Sequence, residues 1–189
     1  MNSSVLRLLD ILFAACGLFV AFPIMLLVVF CGLFDTGFPF FFQQRVGINK
    51  RPFTLIKFRT MKADTESVAT HQVSSDSVTR LGAILRRSKL DEIPQLFNVL
   101  KGDMSLVGPR PCLFNQHELI EQRECKGVFS VLPGITGLAQ VNKIDMSAPE
   151  VLAQWDQQMI EQFSVSAYFK YILLTIVGRG AGDRIKSDR

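Results

Sequence analysis

The sequence has few residues of the kinds that build metal centres or disulfide frameworks. It contains two histidines and four cysteines in 189 residues, and none of them stands at the spacing of a metal-binding motif. It also lacks a Walker A sequence, so ATP is not the expected phosphoryl donor. Four cysteines without a disulfide framework fit a reduced compartment. These absences argue against a His/Cys metal site and against an ATP-dependent enzyme.

Charge is missing from residues 11–34, a run of 24 positions between Asp10 and Asp35. A helix of that length would extend about 36 Å, which is enough to cross a hydrocarbon core of about 30 Å. A signal peptide has a shorter apolar core, of about 7–15 residues, followed by a cleavage site. We therefore predict a membrane-inserted helix. A single helix offers no pathway for a transported solute, which argues against a transporter.

Pro23 lies in the middle of this apolar run. An interior proline removes one backbone hydrogen bond and clashes with the preceding turn, so we expect a kink or a break there. Two arrangements are open from the charges alone: a kinked helix that crosses the bilayer, and a re-entrant hairpin with both ends on one face. Arg7 slightly favours an N-terminus on the same side as the basic residues that follow.

Acidic residues are missing from residues 43–62, although the net charge of the whole chain is only +4. This stretch carries six cations, Arg45, Lys50, Arg51, Lys57, Arg59 and Lys62. A second acid-free group consists of Arg80, Arg86, Arg87 and Lys89. Basic residues close to a membrane segment favour the cytoplasmic side and anionic headgroups. We therefore predict a cytoplasmic domain that lies against phospholipid.

The pattern downstream predicts a mostly helical α/β domain. Residues 43–61 are predicted to form a β-hairpin, with Lys57 and Arg59 on one face of its second strand. Residues 63–78 should form a loop, and the Pro-Gly segment at 133–137 a turn. Amphipathic helices are expected over residues 80–87, 93–100, 113–126 and 149–163, and a short apolar segment at 168–177 should pack in the core or lie at the membrane interface.

Asp91 and Glu92 are adjacent carboxylates at the start of an apolar segment. They could simply complement a helix dipole, because acids are stabilising before a helix start. Alternatively, one carboxylate attacks a phosphorus atom while its neighbour assists, as in aspartyl-phosphate enzymes. Two close carboxylates also suit Mg2+, which prefers one or two carboxylates together with substrate phosphates.

Arg110 stands between Pro109 and Pro111. The second proline disfavours a helical conformation at Arg110, and the first has a fixed φ angle. The guanidinium is therefore carried on an extended backbone, which suits bidentate contact with phosphate or stacking on a base. A plain turn between helices would show the same pattern.

Five segments together resemble the bacterial sugar transferase family of small monotopic phosphoglycosyl transferases. They are FQQRVG at 42–47, KFRTM at 57–61, LDEIPQLFNVLKGDMS at 90–105, VGPRP at 107–111 and PGITGLAQVN at 133–142. The likeness extends from Leu6 to about Val177. The chain differs from the common family pattern at Leu132, Leu138, Met159 and Tyr168, which leaves the donor sugar unassigned.

The resemblance implies a fold of two parts, a re-entrant membrane helix broken at Pro23 (residues 1–40) and a membrane-interface catalytic domain (residues 41–189). It implies transfer of a sugar-1-phosphate from a UDP-sugar to undecaprenyl phosphate with release of UMP, on the cytoplasmic face of the bacterial inner membrane. This would be the first membrane step of polysaccharide or glycoconjugate assembly. Downstream glycosyltransferases and a second copy of the chain are possible partners, and nucleic acid is not expected.

The resemblance also assigns roles to individual residues. Asp91 would be the nucleophile and a ligand of Mg2+, with Glu92 as its dyad partner. Lys57, Arg59 and Arg86 would neutralise phosphates, and Arg110, held by Pro109 and Pro111, would lie at the nucleotide end of the donor. Two other functions are kept as alternatives: a membrane adaptor in which the acids are only helix caps, and a nucleotide-sugar hydrolase that needs no lipid.

Overall fold

The first element, α1 (Ser4–Asp35), is a helix of 32 residues with a mean hydropathy of 2.7 in its most apolar window. The computed structural model describes residues 4–65 and 75–178, and among these α1 is the one helix long and apolar enough to cross a membrane. It continues through Pro23 and is not divided into two helices there. A proline removes only one bond of the helical ladder, so the flanking turns can stay helical. The re-entrant hairpin stays a prediction.

Both halves of α1 pack against the rest of the chain. In the first half, Leu6 joins a core cluster that contains Tyr168, and Ala14 joins a second cluster that contains Met104. In the second half, Met25 and Val28 pack in a cluster with Phe58 and Leu85. The helix therefore lies along the domain and does not project from it. The opposite side of α1 exposes many large apolar side chains, which include Leu12, Phe19, Val20, Leu27 and Phe30.

The predicted β-hairpin is confirmed. Strand β1 (Phe40–Val46) pairs antiparallel with β2 (Pro52–Phe58), from Phe40 opposite Phe58 to Val46 opposite Pro52. A 3₁₀ turn at Ile48–Lys50 joins the strands. Asn49 and Lys50 adopt positive φ angles of 52° and 59° there, a conformation that Asn tolerates better than most residues. The predicted loop at 63–78 lies partly outside the described residues. Met61 and Val78 form an isolated antiparallel bridge.

The predicted turn at 133–137 is wrong, because Gly134–Thr136 forms strand β4. It pairs in parallel with β3 (Ser105–Val107), with Ser105 opposite Gly134 and Val107 opposite Thr136. A Cβ atom at Gly134 would lie only 2.0 Å from the backbone nitrogen of Gly108. This close approach of two backbones is the reason that a glycine-rich segment forms a strand here.

The predicted helices are confirmed with shifted ends, together with a short α5 that was not predicted. They are α2 (Arg80–Ser88), α3 (Gln95–Lys101), α4 (His117–Cys125), α5 (Leu138–Val141), α6 (Pro149–Glu161) and α7 (Val165–Ile176). Thr79 caps α2 by accepting a hydrogen bond from Gly82. The described chain is thus mostly helical, with two small two-stranded sheets.

Helix α7 packs in the core through one face, as one of the two alternatives for its apolar segment predicted, and its position at a membrane interface stays a prediction. Tyr168 and Tyr171 are buried in the core, whereas its other face exposes Phe169, Leu173 and Ile176. The ring of Phe169 meets that of Phe13 on α1 edge to face, with centroids 6.0 Å apart. The exposed apolar surfaces of α1 and α7 are therefore continuous.

Candidate active site

Asp91 and Glu92 lie in a 3₁₀ turn, Leu90–Glu92, between the end of α2 and the start of α3. Lys89 reverses the chain before this turn with a left-handed φ of 58°. Only 4% of Asp91 and 9% of Glu92 is exposed. The N-cap residue of α3 is Pro94, which makes no side-chain cap hydrogen bond. Burial of two neighbouring acids is costly unless cations or hydrogen bonds compensate.

Two cations approach Glu92 from different parts of the fold. The Arg110 Nη2 atom donates a hydrogen bond of 2.7 Å to Glu92 Oε1, and Lys57 Nζ lies 3.8 Å from the same oxygen. Lys57 comes from β2 and Arg110 from the segment after β3. All three side chains are largely shielded from solvent, so the attraction between them is screened less than at the surface. The fold thus joins a buried carboxylate pair to two basic groups.

The other two predicted cations lie on neighbouring elements. Arg86 Nε donates to Thr60 Oγ1 at 2.8 Å, at the point where α2 contacts the chain after β2. Arg59 lies one residue beyond β2, where its Nε donates to the Phe38 carbonyl at 3.1 Å and its guanidinium covers the Phe41 ring at 5.5 Å. These contacts hold Arg59 at the start of β1, whereas Lys57 faces Glu92.

The segment that carries Arg110 is held through four successive carbonyl groups. The Pro109 carbonyl accepts from Gly134 N (2.9 Å), and the Cys112 carbonyl from Val46 N (3.0 Å). Between them, Arg123 Nη1 donates to the Arg110 carbonyl (2.8 Å) and Arg45 Nη1 to the Pro111 carbonyl (3.0 Å). The proline-flanked segment is thereby fixed to both sheets and to α4.

Arg123 and Asp156 form a buried ion pair that the sequence analysis missed. The Nε and Nη2 atoms of Arg123 donate to Asp156 Oδ2 at 3.0 and 2.7 Å. Burial acts to lower the pKa of Arg123, but the Asp156 and Cys112 charges and hydrogen bonds together outweigh it and raise that pKa. Burial raises the pKa of the Asp156 carboxyl, and the Arg123 charge and hydrogen bond oppose that shift.

A second missed group fastens the start of α1. Asp10 is buried, and its Oδ1 accepts hydrogen bonds from Leu106 N and from the Tyr168 hydroxyl, both at 2.9 Å. Burial, together with the neighbouring Asp10 charge and hydrogen bond, raises the pKa of Tyr168. Arg7 donates to the carbonyls of Val99 and Leu100 at the end of α3, at 2.7 and 3.0 Å. A charged residue inside an otherwise apolar helix was the available signal for Asp10.

The sequence profile described as "Bacterial sugar transferase" matches residues 1–179. The chain belongs to the bacterial sugar transferase family. The predicted family and enzyme class, a phosphoglycosyl transferase, are thereby confirmed.

Three curated relatives illustrate this membership of the sugar transferase family. The "Uncharacterized sugar transferase EpsL" of Bacillus subtilis is 39% identical over 74% of this chain and 69% of its own length. The "UDP-glucose:undecaprenyl-phosphate glucose-1-phosphate transferase" of Caulobacter vibrioides is 36% identical over 90% of this chain and 67% of its own. The "UDP-N-acetylgalactosamine-undecaprenyl-phosphate N-acetylgalactosaminephosphotransferase" of Aeromonas hydrophila is 37% identical over 93% of this chain and 44% of its own length.

The carboxylates of this sugar transferase include one adjacent pair that could contribute to a metal site, Asp91 and Glu92. Within residues 4–65 and 75–178, no group of three or more His, Cys, Asp and Glu side chains is arranged so that it could hold a metal ion. Asp91 and Glu92 provide two adjacent carboxylates, and Glu92 is already paired with Arg110. Because Mg2+ usually takes one or two protein carboxylates and completes its shell with water and phosphate oxygens, the pair fits a substrate-bridged Mg2+.

Proposed function

We propose that this sugar transferase moves a sugar-1-phosphate from a UDP-sugar to undecaprenyl phosphate and releases UMP. The observation that carries the proposal is the buried pair Asp91 and Glu92, with Arg110 at 2.7 Å and Lys57 at 3.8 Å from Glu92. Adjacent acids and convergent cations suit phosphoryl transfer, in which positioning and charge stabilisation supply most of the catalysis. The names of the Caulobacter and Aeromonas relatives agree with this reaction class.

The proposed reaction has two steps. In the first, a carboxylate oxygen of Asp91 attacks the phosphorus atom bonded to the sugar, the P–O bond to the uridine phosphate breaks, and UMP leaves with that electron pair. In the second, an oxygen of undecaprenyl phosphate attacks the same phosphorus atom and displaces Asp91, giving undecaprenyl diphosphate-linked sugar. Two steps let a soluble and a lipid substrate use the same site in turn.

The basic residues of the site have separate proposed tasks. Lys57, Arg59 and Arg86 neutralise the phosphates, and Arg110 binds at the nucleotide end of the donor. Glu92 orients Arg110 through their 2.7 Å contact and handles a proton of the acceptor phosphate. Mg2+, held by Asp91 and phosphate oxygens, would supply further neutralisation of charge.

The position of α1 supports a monotopic arrangement in the membrane. Leu6 and Val28 both pack against the domain that follows α1, although they lie 22 residues, or about 33 Å of straight helix, apart. A helix that crossed the bilayer would keep only one end beside a domain on one side. We therefore assign both ends of α1 to the cytoplasmic face of the inner membrane, with the apolar faces of α1 and α7 in contact with phospholipid.

The donor sugar is left open in this proposal. The Caulobacter and Aeromonas relatives have similar identities to the chain, 36% and 37%, but their names specify glucose and N-acetylgalactosamine. The proposal therefore specifies a UDP-sugar and leaves the choice of sugar to experiment.

The deciding experiment measures UMP release from a panel of UDP-sugars in detergent with Mg2+, with and without undecaprenyl phosphate. Intact-mass spectra of the wild type and of Asp91→Asn accompany it. We expect lipid-dependent release and a phosphosugar adduct that Asp91→Asn lacks. Normal turnover by folded Asp91→Asn would refute the nucleophile, full release without lipid would identify a hydrolase, and no release from any donor would favour an adaptor.

A further inference from the structure

The Arg123–Asp156 pair is among the most deeply buried charge pairs of the described chain. Each residue is only 1% exposed. Buried ion pairs add little to stability compared with apolar residues of similar volume, because the cost of desolvation offsets the attraction. Stability alone therefore does not account for placing two charges between α4 and α6.

The third donor of Arg123 indicates what the pair does. While Nε and Nη2 are bound to Asp156, Nη1 donates at 2.8 Å to the carbonyl oxygen of Arg110. The same residue, Arg110, donates at 2.7 Å to Glu92 with its side chain. Asp156 is thus connected to Glu92 through hydrogen bonds to Arg123, from Arg123 to the Arg110 backbone, and from the Arg110 side chain to Glu92.

The backbone around Arg110 needs this outside support. Pro109 and Pro111 have no N–H group, so the segment cannot be fixed by the usual exchange of backbone donors and acceptors. It is fixed through its carbonyl groups, and the donor to the Arg110 carbonyl is the Arg123 side chain, whose own geometry is set by the Asp156 carboxylate. Because a guanidinium is planar and rigid, its two bonds to Asp156 define the direction of the third.

We propose that Arg123, oriented by Asp156, is a positioning residue that sets the direction of the Arg110 side chain toward Glu92 and the donor phosphates. This inference rests on the proposed transferase function, in which Arg110 binds the donor. Loss of the Arg123–Asp156 pair leaves Arg110 in the same part of the fold but no longer fixes the direction of its guanidinium. Misplacement of a charged group in an active site weakens catalysis.

A double-mutant cycle tests the inference. The variant Arg123→Met/Asp156→Leu removes both charges with apolar side chains, an exchange that buried ion pairs often tolerate. We expect its kcat/KM for the UDP-sugar to fall about tenfold in the wild-type background, and less than about twofold in an Arg110→Ala background. An equal loss in both backgrounds would mean a general structural effect and would overturn the proposal.

A second variant tests the same inference if Arg123→Met/Asp156→Leu does not fold. Arg123→Lys keeps a cation beside Asp156, but one ammonium cannot reproduce two bonds to the carboxylate and a third to the Arg110 carbonyl. Folded Arg123→Lys should therefore also lose about tenfold in kcat/KM, and full activity would contradict the proposal.

The matched control is Lys50→Gln/Glu124→Gln, which removes an exposed ion pair that also ends on α4. It should keep wild-type kcat/KM. The activity of the wild-type protein in the same assay distinguishes failure of the transferase proposal from failure of the Arg123 proposal. If the wild type does not release UMP, the transferase proposal fails. If the wild type is active, the double-mutant cycle decides the role of Arg123.

Discussion

Arg110 and Glu92 are 18 residues apart in the chain, and their side chains meet at 2.7 Å. The contact joins the segment after β3 to the turn that carries Asp91, and it gives the buried Glu92 a cationic partner. The short distance and the low exposure of both side chains make this ion pair the centre of the candidate site.

The substitution Glu92→Gln tests the role of the Arg110–Glu92 ion pair in turnover. The substitution keeps the shape of the side chain but leaves the buried Arg110 and Lys57 without their negative partner. We expect turnover to fall by about 100-fold or more, measured as UMP release. Glu121→Gln, an exposed change on α4, is the control and should retain activity. If Glu92→Gln matched the control, the ion pair would have no part in turnover.

Gly82→Ala tests the contact between α2 and the chain after β2. A Cβ atom at this position would lie 2.0 Å from the Thr60 carbonyl oxygen, and backbone cannot give way as a flexible side chain can. We expect α2 to shift, with a loss of about 1–3 kcal/mol in the free energy of unfolding and a weaker Arg86–Thr60 contact. Thermal denaturation and UMP release measure the two effects.

Ala83→Ser is the neighbouring control on the exposed face of α2. It should change stability by less than about 0.5 kcal/mol. Equal melting temperatures for the two variants would show that α2 accommodates a side chain at residue 82.

Asp10→Ala tests the attachment of α1. The change leaves two donors, Leu106 N and the Tyr168 hydroxyl, without their acceptor. Since each buried unsatisfied donor costs about 1–3 kcal/mol, we expect a loss of about 2–5 kcal/mol in detergent, seen as a lower melting temperature. Asp35→Ala, at the exposed end of the same helix, should melt like the wild type.

Alkaline pH should destabilise the protein through Tyr168. Its pKa is raised in the folded state, first by burial and then by Asp10, whereas an unfolded tyrosine ionises near pH 10. The contribution of Tyr168 to stability is therefore complete below about pH 10 and is lost as the pH rises further, by up to about 1.4 kcal/mol per pH unit. Melting temperatures at alkaline pH measure the slope. Tyr168→Phe should show a shallower one, and identical slopes would contradict the assignment.

Structural features that are determined by residues close together in the chain could be predicted from the sequence. The hairpin follows from the turn residues around Gly47 and Asn49, the carboxylate pair from adjacency, and the rigid backbone of Arg110 from its two prolines. Contacts between distant segments could not be predicted in the same way. A Pro-Gly pair is typical of turns, and the pairing of β4 with β3 depends on the approach of Gly134 to Gly108.

The Arg123–Asp156 pair was missed because its members are 33 residues apart and either could have been a solvated surface charge. A signal was present on each helix. Arg123 follows the buried Leu119 by four residues, and Asp156 follows the buried Leu152 by four, so each charge lies on an apolar face. A charged residue on such a face indicates a buried partner, although the sequence does not say which.

The hydrogen bond between Asp10 and Tyr168 spans 158 positions, and this separation has a consequence for biosynthesis. A ribosome adds about 5–20 residues per second, so Tyr168 is made roughly 8–30 s after Asp10. During that interval α1 lacks the Tyr168 hydroxyl that donates to Asp10, and it also lacks the Phe169 ring of α7 that meets Phe13. We expect lipid or a chaperone to cover the apolar face of α1 in that interval, and α7, which is made long after α1, completes the attachment of α1 to the domain.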